Sequence, residues 1–203
     1  MAFVLPRQLQ QKLALLPLLS CTVVVAHAAA QVVVQAQRQG DAVQVQAQAT
    51  VKAPHELIWQ TLTDYNHLAE FVPGITKSRV LQRLGNKITV EQVGEARLWF
   101  FTYIIDVVVE STEHQPRTIG IRVVKGNLKQ LNGGYQLEHV TGKEGEFLLT
   151  WSGVIEPAIP VPVIIAVPLM RASISEQFAG MVREIERRQA LRAPGTQSRP
   201  PDD

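Results

Sequence analysis

The 203-residue chain holds five histidines, one cysteine and 18 aspartates and glutamates from which catalytic or metal chemistry would ordinarily be assembled. Their spacing does not assemble it. His27, His55, His67, His114 and His139 lie far apart, and no pair stands at the short separation with which two side chains close on one metal ion. A nucleophile needs a base beside it, and the single cysteine, Cys21, sits in an apolar N-terminal run, so no thiol chemistry is expected. The remaining polar candidates are on strands. In RLWFFTYIIDVVVE, residues 97–110, alternation puts Tyr103 on one face with Trp99, Phe101, Ile105, Val107 and Val109, and Asp106 on the other. Asp106 is therefore expected in solvent. His139 shares the parity of Tyr135 and Leu137, so Tyr103, His139 and Arg97 are the polar groups that a cyclase, dehydrase or isomerase would use on an inward face.

That face is otherwise apolar and aromatic, which points to a hydrophobic cavity, and the neighbouring segments indicate what shapes it. VQVQAQATV, residues 43–51, alternates strictly, as residues 31–37 nearly do, with a turn at 38–41. In APHELIWQTLTDYNHLAEFVPGI the period changes. Pro54 opens a helix carrying Leu57, Ile58 and Leu62, Asp64 starts a second short one carrying Leu68 and Phe71, and Pro73-Gly74 ends it. Residues 75–84 and 87–94 are strands joined by Gly85-Asn86, a pair suited to a tight hairpin turn. After the long strand, inward positions follow at Ile119, Ile121 and Val123, at Tyr135 and Leu137, and at Phe147, Leu149 and Trp151. Turns fall at Gln115-Pro116, Gly126-Asn127 and 142–145.

EPAIPVPVIIAVPLM, residues 156–170, is too apolar for a surface loop. Its prolines, Pro157, Pro160, Pro162 and Pro168, exclude a central strand and a helix continuous through them. A stiff connection across the mouth of the sheet is expected, with Pro162 or Pro168 as the first helical residue. Beyond it Ile174, Phe178, Met181 and Ile185 recur at helical steps, opposite Arg171, Ser175, Arg183 and Arg187. Glu184 and Arg188 are spaced for an ion pair on that helix. The fold class is α+β: a curved antiparallel β-sheet wrapped around a long C-terminal α-helix, with two short helices after the first strands.

Composition agrees with one domain, at 46% hydrophobic and 19% charged residues. A net charge of +2 with scattered basic residues gives no nucleic-acid footprint. Arg7 and Lys12 precede an apolar run, 13–26, that ends in Ala26-His27-Ala28, the pattern of a cleaved export signal. Residues 1–28 are thus expected to be a signal peptide, 29–192 the domain and 193–203 a disordered tail, with the product in the periplasm. Two alternatives are an uncleaved anchor and a lipid attached at Cys21, since Leu18-Leu19-Ser20-Cys21 resembles a lipoprotein box.

Three stretches carry a family likeness: VKAPHELIWQTLTDYNHLAEFVPGITKSRVLQR at 51–83, GNLKQLNGGYQLEH at 126–139, and EPAIPVPVIIAVPLMRASISEQFAGMVREIE at 156–186. They resemble the helix-grip fold of the START-like (SRPBCC) superfamily, and within it the polyketide cyclase/dehydrase and coenzyme Q-binding group. The resemblance implies a hydrophobic ligand held between sheet and long helix. On this chain the expected lining is Trp99, Phe101, Tyr103, Ile105, Ile121, Leu137, Trp151, Ile164, Ile174, Phe178 and Met181, with no catalytic residue, metal or cofactor assigned. The leading expectation is a periplasmic carrier or sensor of a quinone, isoprenoid or lipid, with no nucleic-acid partner and with transient contact with a membrane surface left open. An export signal departs from the quinone-binding members, which work in the mitochondrial matrix or bacterial cytoplasm. The alternatives are a cyclase/dehydrase-type enzyme and an envelope protein-interaction module.

Overall fold

Period-two alternation becomes strand wherever one face has a core to meet. In β2, Ala42–Lys52, the residues Val43, Val45, Ala47, Ala49 and Val51 are buried while Gln44, Gln46 and Thr50 face water. The computed structural model describes residues 30–192, so the expected signal segment and tail lie outside the described residues. Before β2 runs β1, Val33–Gln39; after it come α1, His55–Leu62, and a 3-10 turn, Tyr65–His67, leading into α2, Leu68–Phe71. Six further strands follow: β3 Ile75–Leu84, β4 Lys87–Leu98, β5 Phe101–His114, β6 Thr118–Gly126, β7 Leu128–His139 and β8 Glu146–Pro157. The chain closes with α3, Val163–Arg192.

The strands form one antiparallel sheet in the order β1-β2-β8-β7-β6-β5-β4-β3. Register shifts in the β3–β4, β5–β6 and β7–β8 pairs bend it, and α3 lies in the resulting concavity. The helix buries Leu169, Phe178, Val182 and Ile185 against the sheet, each 2% exposed or less. Gly180 lets it approach the α2–β3 loop, because a Cβ there would fall 2.6 Å from the Phe71 carbonyl oxygen. The architecture is the helix-grip arrangement expected from the sequence.

Two expectations are corrected. Residues 97–110 are not one strand: the chain reverses at Trp99-Phe100, pairing Leu98 with Phe101, and Trp99 takes a φ of 53°. Glycine or asparagine normally supplies such a turn, so LWFF carried no turn signal. The proline segment also contributes more helix than expected. The Pro162 carbonyl accepts hydrogen bonds from the amides of Ile165 and Ala166, and α3 then runs straight through Pro168. The carbonyl that Pro168 leaves without a partner belongs to Ile164, which is 82% exposed, so water can serve it.

The C-terminal half of α3 is tied down by charge. Arg188 donates to Glu184 Oε1 at 2.6 Å and to Asp64 Oδ2 at 2.8 Å, and its guanidinium lies 5.2 Å from the centre of the Phe71 ring. Arg187 adds two hydrogen bonds to Glu184, which is nearly inaccessible. Asp64 does not cap the short helix through its side chain; its other oxygen meets His67 Nδ1 at 2.6 Å. The Arg187 hydrogen bonds hold the Glu184 carboxyl below its usual range against the opposing effect of burial. For Asp64 burial pushes upward, but the hydrogen bonds from His67 and Arg188 outweigh it and the carboxyl also ends below its usual range. The Asp64 contact raises His67 in return.

Candidate functional site

α3 touches β1 and β2 on one side of the sheet and β4 on the other. Between the helix and the strands from β4 to β8 a cavity of about 170 Å³ remains. A cavity of ~150 Å³ is enough for one benzene-sized ring. Its sheet wall comes chiefly from the inward parities of β5 and β6: Ile105, Val107, Val109 and Ser111, then Ile119 and Ile121. Leu128, Leu131 and Tyr135 of β7 and Trp151 and Ile155 of β8 continue it. The opposite wall is Met170, Ser173, Ile174, Gln177, Phe178 and Met181 of α3, and the helical segment before β3 contributes Leu62, Tyr65 and Leu68. Trp151 reaches this place because its ring lies over Gly153, where a Cβ would come within 2.9 Å of it.

Six of the eleven expected lining residues lie on this wall: Ile105, Ile121, Trp151, Ile174, Phe178 and Met181. The other five do not. Leu137 is buried in the adjoining core and Phe101 is half-buried near the start of β5. Tyr103 is buried, but its hydroxyl donates to the Asn127 carbonyl oxygen at 2.6 Å and is committed to the fold. Trp99 is 86% exposed because the strand turns there, and Ile164 is 82% exposed because it falls on the outer face of α3. Ile159, Val161 and Ile165 of the proline segment are also absent from the wall; the helix supplies Met170 and the residues after it.

The three polar groups considered for catalysis do not converge. Arg97 is exposed and paired with Glu95 at 2.6 Å. His139 is exposed at the far end of β7, edge-on to Phe147 with ring centres 5.0 Å apart. Asp106 is exposed, as its parity requires. No histidine, carboxylate, lysine or arginine side chain lines the cavity, and among the described residues no three His, Cys, Asp or Glu side chains gather as a metal site.

The wall has polar atoms nonetheless, and the sequence reading passed over most of them. Tyr65 is 5% exposed and its hydroxyl makes no hydrogen bond. Burial, then the negative charge of Glu113, pushes that phenol well above its usual pKa. Tyr135 is pushed up to about 12 by burial alone, yet it retains accessible surface, which the cavity explains. Gln92, Ser173 and Gln177 add amide and hydroxyl groups between β4 and α3, with Gln177 Nε2 donating to Ser173 Oγ at 3.2 Å. Ser111 was within reach of the sequence argument, since it continues the inward series 105, 107, 109 by one step. Tyr65 sits in a 3-10 turn, where neither strand nor helix periodicity marks an inward face.

The match to known proteins accords with this geometry. Residues 42–186 match the family model for polyketide cyclase / dehydrase and lipid transport. No curated protein sequence matches the chain. Among solved structures, the Zhui aromatase/cyclase from Streptomyces sp. R1128 is similar at 19% identity and a TM-score of 0.61, covering 76% of this chain and 98% of that one. A STAR-related lipid transfer protein from Xanthomonas axonopodis aligns at 12% identity and a TM-score of 0.62, over 78% and 99% of the two chains. A START superfamily protein from Mycobacterium smegmatis aligns at 15% identity and 0.57, over 73% and 97%. Likeness at these identities concerns the fold; the family model, which spans most of the chain, concerns descent. The chain belongs to the polyketide cyclase/dehydrase and lipid transport family.

Proposed function

We propose that the protein is a carrier or sensor of a neutral, mainly apolar small molecule with hydrogen-bond-accepting oxygens, a quinone being the class that fits best, and that it works in the periplasm after export. Family membership and the helix-grip fold support a hydrophobic ligand. The observation that carries the finer reading is the lining: an apolar wall with no ionisable side chain other than two tyrosines, whose phenols are raised by burial. A carboxylate or ammonium placed there would lose its water without gaining a counter-charge. A carbonyl would instead accept from the Tyr135 phenol or from the Gln92 and Gln177 amides on the wall. The volume suits a single ring carrying an apolar tail. Each methylene buried along that tail adds about 0.8 kcal/mol, against an association cost of roughly 4–15 kcal/mol, so binding in the micromolar range with ready exchange is expected.

The test is a titration of the protein with a short-chain quinone and, separately, with a fluorescent fatty acid at neutral pH. The quinone is expected to bind and the fatty acid to bind at least about tenfold more weakly, a difference of 1.4 kcal/mol. Tyr135→Phe should weaken the quinone by a similar factor while leaving the fold unchanged. Equal binding of both probes, or no loss in Tyr135→Phe, would overturn the neutral-acceptor reading.

A further inference from the structure

The β4–β5 hairpin that walls the cavity ends in two aromatic side chains with nothing to pack on. Trp99 is 86% exposed and Phe100 93%, and Trp99 occupies a positive-φ position that bulky residues avoid. A soluble hairpin tip would ordinarily be built from glycine, asparagine or aspartate. Here every local preference is set aside in favour of surface that water disfavours, which calls for an apolar partner in the working state.

The neighbouring surface indicates which partner. The Asn127 carbonyl oxygen accepts from both the Tyr103 hydroxyl, at 2.6 Å, and the Ala158 amide, at 3.0 Å. The proline connection therefore starts beside the tip end of the hairpin, and Ile159 of the connection and Ile164 at the start of α3 are 60% and 82% exposed. Ile104, on the outer face of β5, is 55% exposed. From Pro157 to Met170 the chain has no charged residue. Near this end the exposed charges include Lys125, Asp106 and Arg97, the last paired with Glu95. Tryptophan at the outermost point beside an uncharged apolar stretch is the arrangement that seats a protein in the headgroup region of a bilayer. We infer that the Trp99-Phe100 tip, together with the start of the proline connection, inserts into the interfacial layer of a lipid membrane. Gln92 and Gly94 of the cavity wall lie on the same hairpin, so docking brings the cavity to the membrane from which an apolar ligand would come. The inference stands on the exposed tip and does not depend on the identity of that ligand.

Trp99 is also the reporter, because Trp59 and Trp151 are buried. The full chain is mixed with vesicles of phosphatidylethanolamine and phosphatidylglycerol, with and without brominated acyl chains, and tryptophan emission is followed. A blue shift and quenching by the brominated lipid are expected. Phe100→Ser keeps the reporter and should raise the lipid concentration at half-maximal quenching by about tenfold, with an unchanged unfolding temperature. Emission that stays that of an indole in water, or quenching unaffected in Phe100→Ser, overturns the inference. So does a blue shift that grows with protein concentration without vesicles, which would make the tip a contact between copies of the chain.

Discussion

The two halves of α3 face the same sheet and are held to it differently. The C-terminal half is fastened by Arg188 to Asp64, by Arg192 to Gln60 and by Glu186 to the Ala30 amide. The N-terminal half spans the cavity, and the side-chain hydrogen bond there, Gln177 to Ser173, stays within the helix. One half fixes the fold and the other leaves room. A helix gripped at one end can cover a ligand at the other without endangering the domain, and the physical cause is where the charged residues stand along a single helix.

The largest expected effect compares equivalent truncations in the two halves. Ile185 is fully buried in the fastened half and Ile174, 9% exposed, lies on the cavity wall. Ile185→Ala should cost about 4 kcal/mol and Ile174→Ala about 2 kcal/mol in denaturant unfolding, because an open site has fewer contacts to lose. Equal costs would erase the difference between the halves.

Next is the charge cluster. Arg188→Gln leaves Glu184 nearly inaccessible with one cationic partner fewer, and should cost about 2 kcal/mol, reduced from the fully buried case because Arg188 is itself partly exposed. The cluster also sets a pH window. Asp64 and Glu184 have lowered pKa values, so their contributions are complete above their ordinary values, 3.8 and 4.5, and are lost as pH falls through the folded ones. His67 is raised, so its contribution is complete below 6.5 and is lost as pH rises through its folded value. Stability from this end should be greatest between those limits. In Arg188→Gln the acid limb of the unfolding-temperature profile should flatten, whereas Ile174→Ala should leave the profile's shape intact.

The smallest effect is at the hairpin tip. Trp99→Asn places a residue tolerant of positive φ where the indole makes no packing contact, and should stabilise the protein by about 1 kcal/mol while reducing membrane binding. A loss of stability would show that Trp99 packs on the hairpin.

These residues also mark how far the sequence could be followed. Alternation and helical steps gave the strand faces, the cover helix and the Gly85-Asn86 turn, because each depends on neighbours a few positions apart. The Trp99-Phe100 reversal gave no such sign, since its turn is made against local preference. Once the reversal was missed, Trp99 was assigned inward although Phe101 and the positions after it keep their parity. Ile164 failed for a related reason: assigning it to a stiff connection hid the helical phase that turns it outward. Tyr65 and Gln177 are on the wall because the sheet curves and α3 crosses it at one angle, and neither property is encoded over short spacings.

The central claim is that the space beneath the loosely held half of α3 is occupied in the cell by a neutral apolar molecule. Mass spectrometry of the organic extract of protein purified from its own cells, set beside an extract of a variant with Ile121→Trp filling the cavity, tests it most directly. The account predicts a neutral, oxygen-bearing apolar compound in near-stoichiometric amount from the native protein and little from the filled variant. An extract with no such compound, or one dominated by an anionic lipid equally abundant in both, would contradict it.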